Sequence, residues 1–171
     1  MRESTAGALT EGLLQAMWAE HEGHHFYSMA AHNTSDPKGR EVLQRLAAEE
    51  LEHFEFLKAQ HRRVIETGRP DAGLKLGPRS DISGPSPIFS DALRSRIATA
   101  HYEMVALGVG AQLELNAVRF YTQASADASD PAVKAFYKEL SEWEQGHYDA
   151  LTAQQEALKE DYWAGAGFAP F

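Results

Sequence analysis

The chain contains no cysteine. That absence excludes a disulfide framework, a thiolate zinc knuckle, an iron–sulfur cluster and a rubredoxin-type iron centre within it. Nowhere do about twenty apolar residues follow one another, and the opening MRESTAGALTEGLLQ has no apolar run of signal-peptide length behind a basic start. A soluble, cytoplasmic protein with no membrane partner is the expectation. Positive charge is scarce as well. Against 25 Asp and Glu stand 16 Lys and Arg, scattered along the chain, for a formal charge of −9. Such a balance opposes a phosphate backbone, so nucleic acid is not an expected partner. The surplus of acid serves solubility, or it points some carboxylates inward at a cation.

What is present is a repeat. Shifted by 94 residues, the sequence matches itself without gaps from 13–60 to 107–154. Along that register Glu20 meets Glu114, Tyr27 meets Tyr121, Asp36-Pro37 meets Asp130-Pro131, Glu50 meets Glu144 and His53 meets His147. A period this long marks a duplicated half-domain. Each half reads as two helices with apolar residues at helical spacing, joined by a tight turn. Asp36 and Asp130 suit N-caps, and the prolines after them suit the first helical position, where no N–H is needed.

Strand-like alternation is absent, so an all-α chain is expected. Four of the seven prolines fall within residues 68–89, which cannot be helical throughout. A helix of about 30 residues is roughly 45 Å long, and a connection of this size can cross from one end of a bundle to the other. Ser90 is the expected cap of the third helix. Two helical hairpins joined by one long crossover form a single domain over 1–160, with the topology of the ferritin-like four-helix bundle. The remainder, 161–171, carries Trp163, Phe168 and Phe171 on a backbone too rich in glycine for stable helix. These aromatics are expected to dock on the same bundle or on a second subunit.

The chemistry lies in the repeated polar residues. Glu50 with His53, and Glu144 with His147, each place a carboxylate and an imidazole on adjacent turns of one helical face. One ExxH match is expected by chance in a chain of about this composition. Glu22 and His25 form such a decoy, because their repeat counterparts are Asn116 and Arg119. The duplicated pairs differ from a chance match. Two ExxH helices plus one inward glutamate from each of two others make the carboxylate-bridged dinuclear site of helical bundles. The candidate ligands, and with them the candidate catalytic groups, are Glu20, Glu50, His53, Glu114, Glu144 and His147, a donor set suited to iron or manganese and open to zinc. The competing reading is a duplicated core that merely kept its polar residues. Uncompensated carboxylates there would each cost several kcal/mol, which cations offset.

Tyr27 and Tyr121 are either buried aromatics with a polar tip or phenols that orient a ligating carboxylate. His24, one turn after Glu20, reads as a solvated or supporting histidine or as an extra ligand. His21, His25, His32, His61 and His101 take the surface reading. Gly23 and Ala117, one turn beyond the single glutamates, either permit close helix packing or leave room for a small oxidant.

The pattern E20-x6-Y27, E50LEH53, E114-x6-Y121, E144QGH147 resembles the rubrerythrin branch of the ferritin-like superfamily, over roughly residues 10 to 160. The resemblance implies two iron ions per chain, with Glu50 and Glu114 or their repeat counterparts among the bridging groups. It also implies a homodimer and reaction of the reduced metals with hydrogen peroxide or dioxygen. Two features depart from that family. Without the four cysteines of a rubredoxin-like domain, a peroxidase cycle needs an external electron-donor protein. Rubrerythrins also place an additional glutamate where this chain has Ala117, which implies a more symmetric site here. Three functions follow: a diiron peroxidase or oxidase, a ferroxidase or iron-storage module, and a structural helical bundle that takes up metal opportunistically.

Overall fold

In the computed structural model, residues 2–167 are described, with side chains from residue 7 onward. The chain is all-helical, with no strand among the described residues. The long helices are α1 (Arg2–Asn33), α2 (Pro37–Thr67), α4 (His101–Asp127) and α5 (Pro131–Gly165), and a short α3 (Asp91–Arg94) precedes α4. Helices α1 and α2 pack along their length as one hairpin, α4 and α5 as the other, and α1 also meets α4. No helix of the described residues is long and apolar enough to cross a membrane.

The turn chemistry acts where the sequence places it. Asp36 accepts from Gly39 N–H, and Asp130 from Ala132 and Val133 N–H, while Pro37 and Pro131 start the helices. Gly68, at φ 74°, ends α2 in the left-handed conformation and returns its N–H to Val64 O.

Residues 68–90 carry no helix and run back along α2. Asp71 exchanges two hydrogen bonds with the Gln60 amide. Further along, Ser80 N–H donates to Glu49. At the far end Ser90 bonds Asp36 through both its N–H and its hydroxyl. Gln154, the repeat counterpart of Gln60, accepts from Ile88 and Phe89 N–H. Each half thus supplies one buried glutamine that clamps the crossover.

Two expectations are corrected. Ser90 does cap a helix, but only the short α3; a 3₁₀ turn at Ile97–Thr99 follows, and α4 begins at His101. The Ser95 and Thr99 hydroxyls each bond the carbonyl three residues back, at Ala92 and Arg96, a local alternative to continued helix. Near the other end, α5 continues through Gly165, past the point where glycine was expected to stop it. Leu158 is fully buried and Arg94 grips Asp161 through Nε at 2.6 Å and a terminal nitrogen at 3.1 Å. These anchors outweigh a glycine cost of about 1 kcal/mol. Trp163 lies against Tyr162 and is partly exposed. Phe168 and Phe171 lie outside the described residues.

The apolar interior falls into two clusters, exchanged by the internal repeat. One holds Leu13, Leu57, Tyr121 and Leu140; the other holds their counterparts Leu107, Leu151, Tyr27 and Leu46. Along every long helix, the polar repeat residues sit between the two.

Candidate metal centre

All six candidate ligands meet in that polar layer, each no more than 5% exposed. Glu20 comes from α1, Glu50 and His53 from α2, Glu114 from α4, and Glu144 and His147 from α5. Two groups have ligand atoms within 4.8 Å of one another, a spacing able to hold a metal ion: Glu20, Glu50, His53 and Glu144, and then Glu50, Glu114, Glu144 and His147. Glu50 and Glu144 belong to both groups, whereas Glu20 and Glu114 each belong to one. The shared pair is therefore Glu50 with its own repeat counterpart. The resemblance named Glu50 and Glu114, or their repeat counterparts Glu144 and Glu20, among the bridging groups; of these four, Glu50 and Glu144 are the ones common to both groups.

Both histidines turn Nδ1 inward. His53 Nδ1 lies 2.8 Å from Glu144 Oε1 and 3.1 Å from Glu20 Oε2. His147 Nδ1 lies 3.1 Å from Glu144 Oε2, 3.3 Å from Glu50 Oε1 and 3.6 Å from Glu114 Oε1. Glu50 Oε1 and Glu144 Oε1 are buried without an aligned hydrogen-bond donor, despite these short approaches. Carboxylate oxygens can only accept, so buried atoms of this kind fit a cation as their partner.

Burial and mutual repulsion favour protonation of part of this cluster. Burial first, then the neighbouring carboxylates, raise Glu20 and push Glu50 well above the ordinary range. Glu114 rises to about 7, by burial and then by Glu144. Burial also acts to raise Glu144, yet His53 and His147 together hold it below the usual carboxylate range. Burial alone would lower both histidines, but the surrounding carboxylates raise them well above the usual value.

The tyrosines bond crosswise. Tyr27 OH donates to Glu114, and Tyr121 OH to Glu20, so each phenol fixes the single glutamate of the other half. Burial and these carboxylates keep both phenols protonated far above pH 10. His24 joins neither group: its Nδ1 lies 2.6 Å from Ala47 O, and it lines a surface groove between α1 and α2 with Arg40, Gln44 and Leu51. The decoy residues Glu22 and His25 are exposed. His25 instead approaches His21, with Nε2 atoms 3.2 Å apart.

Gly23 lies directly against the Glu50 side chain. A methyl group there would lie 2.5 Å from Glu50 Oε2. Gly23→Ala favours the helix by roughly 0.5–1 kcal/mol and moves only the tip of a flexible side chain. The metal-free variant should melt within a few degrees of the parent. By displacing a shared carboxylate it should still weaken divalent-ion binding by about 10-fold or more, as measured by anaerobic Co(II) titration. Ala117, by contrast, packs on an apolar cluster.

One residue beside the centre escaped the sequence reading. Glu49 accepts from Ser80 N–H and Trp143 Nε1, both at 2.9 Å, and lies 2.7 Å from His147 Nε2. Burial works to raise it, but the bonds from His147, Ser80 and Trp143 hold it down to about 2. A signal existed: a buried tryptophan just before an ExxH needs an acceptor, and its repeat counterpart is Glu49.

Compared with protein-family models, curated proteins and solved structures, the chain finds no match.

Proposed function

We propose that the chain is a ferritin-like four-helix bundle holding two iron ions and reducing hydrogen peroxide or dioxygen with electrons from an external donor protein. The supporting observation is the pair of buried ligand groups sharing Glu50 and Glu144. Four carboxylates balance two divalent ions when both histidines are neutral, so loading neutralises a centre that protons otherwise have to neutralise. Two Fe(II) ions held there would supply the two electrons that, with two protons, convert hydrogen peroxide to two waters, and the external donor would return those electrons. Glu20 and His53 would hold one ion, Glu114 and His147 the other, and Glu50 and Glu144, common to both groups, would be available to each. Tyr27 and Tyr121 orient the terminal glutamates. The two apolar clusters keep bulk water out, which strengthens every charge interaction inside.

A ferroxidase or iron-binding role is the second reading, favoured by the apolar setting of Ala117 and the absence of cysteine. The test is anaerobic loading with two Fe(II) per chain, then stopped-flow mixing with peroxide or, in a parallel run, dioxygen. Faster oxidation by peroxide and clean re-reduction are expected. A preference for dioxygen, with further iron consumed after the first turnover, would establish the second reading instead.

A further inference from the structure

The two halves differ at the residue just before each ExxH glutamate. That residue is Glu49 in the first half and Trp143 in the second, counterparts at the 94-residue offset. Each lies beside the histidine of the opposite half. Glu49 meets His147 Nε2 at 2.7 Å. The Trp143 ring stands edge-to-face with His53 at a centroid distance of 4.7 Å. Glu49 is itself fixed at both oxygens: Oε1 by Ser80 N–H of the crossover, Oε2 by Trp143 Nε1. His53 Nε2, in contrast, is buried with no hydrogen-bond partner.

We propose that Glu49 is a positioning residue that makes the two ion positions unequal, the one at His147 and Glu114 binding a divalent transition metal more tightly than the one at His53 and Glu20. This rests on the metal reading above. Both histidines present Nδ1 to the carboxylates, so a histidine that ligates through Nδ1 keeps its proton on Nε2. On His147 that N–H donates to Glu49, which fixes the tautomer and the ring orientation and raises the basicity of the ligating nitrogen. On His53 the same N–H finds no acceptor, and a buried donor left unsatisfied opposes ligation. Partners of this type change metal affinity by about 10- to 100-fold, and that is the expected ratio between the positions.

The experiment titrates the metal-free full chain anaerobically with Co(II), reading ligand-field absorbance and calorimetric heat. Adjacent cations repel, so even a symmetric centre would fill in two steps; single-position variants separate the effects. Glu20→Ala should keep one ion at nearly the parent's first-step affinity. Glu114→Ala should leave only a position about 10- to 100-fold weaker. Glu49→Gln, which keeps the shape and removes the charge, should weaken the ion retained by Glu20→Ala by about 10-fold or more and leave the ion retained by Glu114→Ala unchanged. A merely structural effect would weaken both alike. Equal affinities in the two alanine variants, or indifference of the first step to Glu49→Gln, would overturn the inequality and leave the metal reading standing. Failure of the parent to bind Co(II) at all would remove both.

Discussion

Glu144→Gln should reduce the divalent ions retained after anaerobic loading and desalting from about two per chain to fewer than one. Glu144 belongs to both ligand groups, with His53 Nδ1 at 2.8 Å from one oxygen and His147 Nδ1 at 3.1 Å from the other. Replacing one of its oxygens by an amide nitrogen takes a donor atom from one position and the bridging charge from both. Glu20→Gln touches one group only and should retain about one ion. Metal analysis of the two variants side by side checks the difference, and equal loss from both would show that Glu144 is not shared. Glutamine is preferred to alanine for a physical reason. Either change breaks the buried pairing of Glu144 with both imidazoles, at about 3–5 kcal/mol, but glutamine keeps an acceptor oxygen and fills the same space, whereas alanine also leaves a cavity. At roughly 2–4 °C per kcal/mol for a chain of this size, alanine would lower the melting midpoint by about 10 °C.

The second large effect is a reversal of pH dependence on metal loading. Burial raises Glu114 from an ordinary 4.5 to about 7, and Glu20 and Glu50 move in the same direction. A carboxyl with a raised folded-state value contributes stability that is complete below about pH 4.5 and is lost as pH rises through its folded value. Burial alone would lower the histidines, but their carboxylate partners raise them, and their contribution is likewise lost on the alkaline side. Glu49 and Glu144 act oppositely, stabilising above about pH 4.5 and losing that on acidification. The metal-free protein should therefore be most stable near pH 5–6 and weaken toward pH 8, as these group shifts combine. Divalent ions displace the same protons, so their binding strengthens over that range. Calorimetry with and without Fe(II) or Co(II) should show a gain in melting midpoint that grows from about pH 6 to pH 8 and reaches on the order of 10–20 °C. A gain independent of pH would mean that the ions bind away from the Glu/His cluster.

Much of this arrangement is legible in the sequence. The six residues that meet in the polar layer were marked by duplication, since a chance ExxH such as Glu22 and His25 has no counterpart and is found exposed. Asp36-Pro37 and Asp130-Pro131 marked helix starts because capping is a local interaction. What escaped was set by distant contacts. Glu49 looks like one more surface acid in EELEH until α5 brings His147 and Trp143 to it and the crossover adds Ser80 N–H. The helix break after Arg94 depends on hydroxyl–carbonyl bonds that compete with a pattern otherwise compatible with helix. The extension of α5 to Gly165 depends on Arg94, 67 residues away from Asp161. Gly23 read either as a packing residue or as room for a small oxidant; the approach of Glu50 to the space a side chain would fill is a distant contact that the sequence does not reveal.

Anomalous diffraction at the iron edge, from crystals loaded anaerobically with Fe(II), tests the central claim most directly. Two peaks are expected inside the bundle, both bordered by Glu50 and Glu144, one about 2.1 Å from His53 Nδ1 and the other about 2.1 Å from His147 Nδ1. A centre without iron peaks, or iron found only at surface histidines such as His21 and His25, would contradict it.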